Sequence, residues 1–163
     1  DVTVYRNDNA TSVLYATKST VSESGLEAAG DPATRQAMLE GGIVVPDGQC
    51  TGESAGTSAS ECTDLQLEGS SSLRGTLSCE NSSIACLTVP YTSGWKVTVD
   101  GQPVELFRAN IGFIGFEVPE GTHVIEARYE VPGLAAGLCV SAAGVVLLLL
   151  LCGAIAAKGK KTA

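Results

Sequence analysis

The sequence predicts a mainly β protein: an antiparallel, sandwich-like extracytoplasmic domain with one short helix, followed by a single C-terminal transmembrane helix. Three observations predict it. Strand-like alternation fills residues 71–131, broken at short intervals by Gly, Pro, Asn and Asp. One uncharged run, "LAAGLCVSAAGVVLLLLLCGAIAA", occupies residues 134–157. At about 1.5 Å per helical residue it is long enough to cross a hydrocarbon core of about 30 Å. Finally, the net charge of -8 is divided sharply, with every Asp and Glu between Asp1 and Glu130 and three lysines, Lys158, Lys160 and Lys161, after the apolar run.

The lysines make residues 158–163 a cytoplasmic basic tail and put residues 1–133 outside the membrane. So acidic a body excludes nucleic acid as a partner. "DVTVYRNDNA" has neither the basic start nor the apolar run of a signal peptide. Export of the domain therefore calls for a removed leader or for further membrane spans upstream, and the expectation is further spans.

Along the chain, "DVTVYRNDNATSVLYATKST" alternates enough for one or two strands about an "RNDN" turn. "GDPATRQAMLEGG" carries helix signals: Asp31 as N-cap, Pro32 at the first helical position, Gly41 and Gly42 beyond the end. Residues 47–72, "DGQCTGESAGTSASECTDLQLEGSSS", hold too few large apolar groups to offset the cost of ordering and read as a flexible exposed loop. "SLRGTLSC" and "SIACLTVP" read as a strand pair around "ENSS".

The segment "VPYTSGWKVTVDGQPVELF" reads as a hairpin. Trp95, Val97 and Val99 share one face, and Asp100-Gly101 suits a two-residue type I′ turn. That turn sets Val97 opposite Val104 and Trp95 opposite Leu106. "GFIGFEVP" then aligns Ile114, Phe116 and Val118, and "THVIEARYEV" aligns Ile125, Ala127 and Tyr129.

No segment supplies a nucleophile with a base, and no catalytic, cofactor-binding or metal-ligating residue is assigned. His123 reads as an exposed structural histidine, Asp100 as a turn residue, and Glu117 and Glu126 as solvated strand positions. Gly112 and Gly115 precede no helix and form no phosphate loop. Asn9-Ala10-Thr11 and Asn81-Ser82-Ser83 match the glycosylation acceptor pattern. Tyr91, outside the alternation of its strand, is the candidate ligand contact. Cys139 and Cys152 fall in the apolar run as small fillers, whereas Cys50, Cys62, Cys79 and Cys86 lie outside, where disulfides persist. Of three pairings, Cys50 with Cys62 and Cys79 with Cys86 close the shortest loops; a zinc site is the rival, without C-x-x-C spacing. Gly133, Gly137 and Ser141 form a small-residue stripe for helix–helix contact.

"VYRNDNATSVLYAT", "DPATRQAMLEG", "LRGTLSC" and above all "LTVPYTSGWKVTVDGQPVELFRANIGFIGFEVPEGTHVIEARYEVPGLAAG" resemble the C-terminal end of the YfhO-type bacterial membrane proteins. These look like multi-pass glycosyltransferases of the GT-C kind. The resemblance implies a parent enzyme in the bacterial cytoplasmic membrane that takes a sugar from a polyprenyl-phosphate carrier and adds it to an envelope polymer such as a teichoic acid. It implies an accessory, non-catalytic role for this part, whose partners are the lipid bilayer and the remaining transmembrane helices of the full-length protein. The Gly/Ser- and cysteine-containing stretch of residues 49–70 departs from the family pattern. The rival reading is a membrane-tethered adhesin or binding module; a sorting signal would need L-P-x-T-G, where this chain reads "YEVPGLAAG".

Overall fold

The computed structural model describes residues 12–49 and 60–159. Residues 12–130 lie in one compact unit and the C-terminal helix in another. In chain order the elements are β1 (Leu14–Thr17), β2 (Thr20–Ser22), α1 (Glu23–Ala28), α2 (Pro32–Gly41), β3 (Ile43–Val45), β4 (Ser60–Glu61), β5 (Thr63–Glu68) and β6 (Ser72–Cys79). Then come β7 (Ser83–Pro90), β8 (Trp95–Val99), β9 (Gln102–Pro103), β10 (Phe107–Ala109), β11 (Phe113–Val118), β12 (Gly121–Tyr129) and α3 (Leu134–Gly159).

Two five-stranded sheets, β10-β11-β7-β1-β4 and β5-β6-β12-β8-β9, are antiparallel throughout. Their facing sides share one core. Leu14, Leu87, Ile114, Phe116 and Val118 come from the first sheet, and Leu73, Leu77, Val97, Ile125 and Ala127 from the second. The expected sandwich is the fold, and Ile114, Phe116 and Val118 of β11 with Ile125 and Ala127 of β12 line its interior as expected, whereas Tyr129 is only half-buried at the end of β12.

The outer side of the first sheet is also covered. β2 and β3 pair in parallel, joined through α1 and α2, and Ile43 and Val45 of β3 pack on Ile84, Cys86, Phe107 and Ala109. Asp31 caps α2 as its sequence predicts, accepting a hydrogen bond from the Thr34 N–H at 2.9 Å. The structure adds a second short helix, α1, which the sequence reading did not include; Ser22 caps it by accepting from the Gly25 N–H at 3.1 Å.

Three expectations are corrected. β6 and β7 are not a strand pair: β6 lies between β5 and β12, β7 between β11 and β1, so residues 80–82 cross from one sheet to the other. The continuous burial of Ile84, Ala85, Cys86 and Leu87 marks a strand covered on both faces, unlike the alternating burial of β6. Part of the expected loop 47–72 is ordered, because β4 and β5 fall within it. β5 is an exposed edge strand, which explains its polar composition.

The third correction concerns the hairpin. Its turn is as expected, with Asp100 and Gly101 at φ 50° and 79° and Val99 facing Gln102. The Val104 N–H donates to the Val97 carbonyl at 3.2 Å, which confirms that register. β9 ends at Pro103, however, so Trp95 pairs with Tyr129 of β12 and not with Leu106. Their rings lie 5.3 Å apart at 57°.

α3 is long and apolar enough to cross a membrane, with mean hydropathy 2.6 over Leu134–Gly153. Its helical stretch passes residue 157 and takes in Lys158; residues 160–163 lie outside the described residues.

Candidate functional site

The sheet registers define two ends of the sandwich. At one end lie the 80–82 crossing, the Asp100-Gly101 turn, the 119–120 link and the last residue of β1. This end carries a cleft of about 700 Å³. Ile84, Val99, Val104, Phe107 and Val118 make its apolar wall, and Asp100, Glu105 and Glu117 bring carboxylates to it, with Lys18, Gln49, Gln102 and His123. Gln49 Oε1 is buried without a hydrogen-bond partner among the described residues. An amide oxygen so placed has capacity for a donor from a ligand.

Asp100 and His123 brace one another at the cleft. His123 Nδ1 lies 2.7 Å from Asp100 Oδ2, and Nε2 lies 3.2 Å from the Glu120 carbonyl oxygen. The other Asp100 oxygen accepts from the Val124 N–H at 2.8 Å. His123 hydrogen-bonds the Asp100 carboxyl and, with the Val124 N–H, holds it below the usual carboxylate range. The Asp100 contact raises His123 above its ordinary value, against a smaller opposing effect of burial. Both ring nitrogens face acceptors, so the imidazolium satisfies both and a neutral ring satisfies one. That arrangement suits a fixed positive charge better than a general base. Ser83 Oγ donates to the Asn81 carbonyl at 2.8 Å and is likewise committed locally. The cleft is thus equipped for recognition: acceptors around an apolar wall.

In the sequence Asp100 and His123 read separately, as a turn residue and a structural histidine. They are 23 positions apart, and only the pairing of Val99 with Ile125 brings them together. Tyr91 is not at the cleft. It is exposed at the opposite end, with its hydroxyl 3.4 Å from the Leu106 carbonyl oxygen.

The expected disulfide between Cys79 and Cys86 is absent, and both are free thiols. Cys79 packs in the core between the sheets, whereas Cys86 points to the outer side of the first sheet. Burial pushes both thiols up. Cys62 is also free, and its expected partner Cys50 lies outside the described residues. Among the described residues no group of three or more His, Cys, Asp or Glu is arranged to hold a metal.

A polar cluster that the sequence did not disclose lies under β3. Asn110 Nδ2 donates to the Tyr15 hydroxyl at 2.9 Å, and Asn110 Oδ1 accepts from the Val44 N–H at 2.8 Å. It fastens β3 to the first sheet. On the other unit, the Gly137 N–H donates to the Gly133 carbonyl at 2.9 Å, and Gly137 and Ser141 are exposed on α3.

A sequence model described as "Bacterial membrane protein YfhO" matches residues 51–141, more than half of the chain. The protein named "Uncharacterized protein YfhO" from Bacillus subtilis (strain 168) is 30% identical over 61 residues. That alignment covers 37% of this chain and 7% of the relative, so the chain corresponds to a small part of that protein's length. No solved structure matches. With a β-sandwich, a membrane-length apolar helix and this match along its middle, the chain belongs to the YfhO family of bacterial membrane proteins.

Proposed function

We propose that this chain is the extracytoplasmic C-terminal domain and last membrane helix of a GT-C-type glycosyltransferase. The complete protein would transfer a sugar from a polyprenyl-phosphate carrier to a cell-envelope polymer of the teichoic-acid kind. This part is accessory: its cleft holds the saccharide portion of the acceptor, while bond formation takes place elsewhere in the protein. The observation that carries the reading is the family match over residues 51–141. The small share of the relative that is covered supports a piece of a longer membrane protein.

The cleft chemistry favours a polyhydroxylated ligand. Carboxylates and amides accept hydrogen bonds from vicinal hydroxyls, and an apolar wall packs against the C–H face of a sugar ring. Among the described residues, three carboxylates set against Lys18 and His123 favour the neutral sugar units of such a polymer over its phosphodiesters. The three C-terminal lysines support a cytoplasmic C-terminus, with the sandwich outside. The stripe of Gly133, Gly137 and Ser141 would receive another span of the same protein.

The test is sugar transfer by the complete membrane protein in detergent, supplied with polyprenyl-phosphate-linked sugar and lipoteichoic acid. Glu117→Gln and Glu105→Gln should raise the KM for acceptor with kcat and donor KM little changed. Absence of transfer by the parent protein overturns the enzyme reading, and an unchanged acceptor KM in both variants overturns the role of the cleft.

A further inference from the structure

The end of the sandwich opposite the cleft carries exposed apolar side chains that folding does not explain. The turn after β10 is closed by the Gly112 N–H donating to the Ala109 carbonyl at 3.1 Å, and its central residues, Asn110 and Ile111, have φ 45° and 71°. Asn-Gly is the pair that fits such a turn. Asn110 is held by its side-chain bonds, but Ile111 is a β-branched residue in the left-handed region and is 61% exposed. It carries the strain of the turn and gains little burial in return. Beside it, the Tyr91 N–H donates to the Gly112 carbonyl at 2.8 Å, and Tyr91 is 44% exposed. Val13, the residue before β1, is as exposed as Tyr91 at the same end.

The chain also leaves the sandwich at this end. Tyr129 pairs with Trp95, and the Glu130 N–H donates to the Gly94 carbonyl at 2.8 Å. Only Val131, Pro132 and Gly133 separate Glu130 from Leu134, the first residue of the apolar span. Four extended Cα steps reach at most about 14 Å. The hydrocarbon edge of a bilayer that receives the span therefore lies within that reach of Glu130, at most about twice the depth of one headgroup region, which is about 5–8 Å.

The geometry points to a lipid contact: Ile111, with Tyr91 and Val13, seats this end of the sandwich in the headgroup and upper acyl region of the bilayer. An aliphatic tip inserts below the headgroups, and a tyrosine with its hydroxyl held by a carbonyl sits at their level. In water the exposed Ile111 has no favourable surroundings; in the interface the same exposure becomes burial. The inference rests on the membrane span alone and not on sugar transfer, so either can fail without the other.

The full chain reconstituted in phosphatidylcholine vesicles containing acyl-brominated lipid tests it, since Trp95 is the sole tryptophan of the parent. Ile111→Trp should show blue-shifted emission and bromolipid quenching beyond that of the parent. Gln102→Trp, at the start of β9 at the cleft end, should show neither. Should Ile111→Trp not fold, Tyr91→Trp reports on the same face. Quenching of the tip residue by aqueous iodide instead of bromolipid overturns the contact. Shielding from both quenchers overturns it too, because a second copy or another protein segment would then cover the tip.

Discussion

Asp100 and His123, from different strands and each unremarkable alone, form one unit: Asp100 Oδ2 lies 2.7 Å from His123 Nδ1, and Asp100 Oδ1 accepts from the Val124 N–H. The aspartate that makes the β8–β9 turn thereby also ties that turn to β12, and the Asp100–His123 contact borders the cleft.

This pair sets a pH dependence. His123 is raised above 6.5, so its contribution to stability is fully present below pH 6.5 and is lost as pH rises through the raised value. Asp100 is lowered below 3.8, so its contribution is present above pH 3.8 and is lost as pH falls through the lowered value. Asp100→Asn, which keeps an acceptor for Val124 and tolerates the turn conformation, should bring His123 back toward 6.5. The stability gap to the parent should be widest between these limits. NMR titration of the single imidazole reads it directly; a parent His123 that titrates at its ordinary value defeats the prediction.

Gly94 is where two aromatic rings and the chain exit converge. A Cβ there would stand 2.4 Å from Tyr129 Cε2 and 2.5 Å from the Glu130 carbonyl oxygen. Gly94→Ala must displace main chain as well as a ring, and should cost about 1–3 kcal/mol. Trp95→Ala should lose about 2 kcal/mol, less than a fully buried tryptophan, because the ring is half-buried against Tyr129. Urea titration of the chain in detergent measures both, and Gly94→Ala as stable as the parent would contradict the geometry.

The features legible in the sequence were those decided by neighbours in the chain. The α3 span, the Asp31 cap, the Asp100-Gly101 turn and the pairing of Val97 with Val104 each follow from a few adjacent residues. Sheet membership is decided at long range. The short link after Cys79 looked like a hairpin turn because nothing in it distinguishes a turn from a crossing; the signal lay in the change from alternating burial in β6 to continuous burial in β7. The cleft was illegible for the same reason. Lys18, Gln49, Asp100, Glu117 and His123 come from five separate segments and meet only after the strands have chosen their partners.

The cysteines offer a chemical check on that topology. Cys79 and Cys86 are seven positions apart yet face different cores, and burial raises both thiols and slows their reaction. In protein prepared without reductant, both should resist a water-soluble alkylating reagent at neutral pH until the chain is unfolded, then take up one label each. A peptide bridged between Cys79 and Cys86 by mass mapping would refute the assignment of β6 and β7 to separate sheets.

Asn110 gives the sharpest test of how the β2–β3 layer is held. Its main-chain N–H donates to the Val44 carbonyl and its Oδ1 accepts from the Val44 N–H, both at 2.8 Å, so one residue pairs with β3 as a short strand would. Its Nδ2 reaches the Tyr15 hydroxyl, which burial, reinforced by Cys86, keeps protonated far above the ordinary tyrosine range. Asn110→Gly keeps the backbone conformation but strips the Val44 N–H and the Tyr15 hydroxyl of their partner, and should cost about 2–4 kcal/mol. Asn110→Ala loses the same bonds and adds about 1 kcal/mol for a Cβ at φ 45°. Alanine should therefore be worse than glycine here, the reverse of their order in ordinary helix or strand. Hydrogen exchange at the Val44 amide should accelerate in both variants, while exchange at Ile125 in the central core should follow global stability alone. If Asn110→Ala proves as stable as Asn110→Gly, the left-handed turn is not the conformation that holds β3 in place.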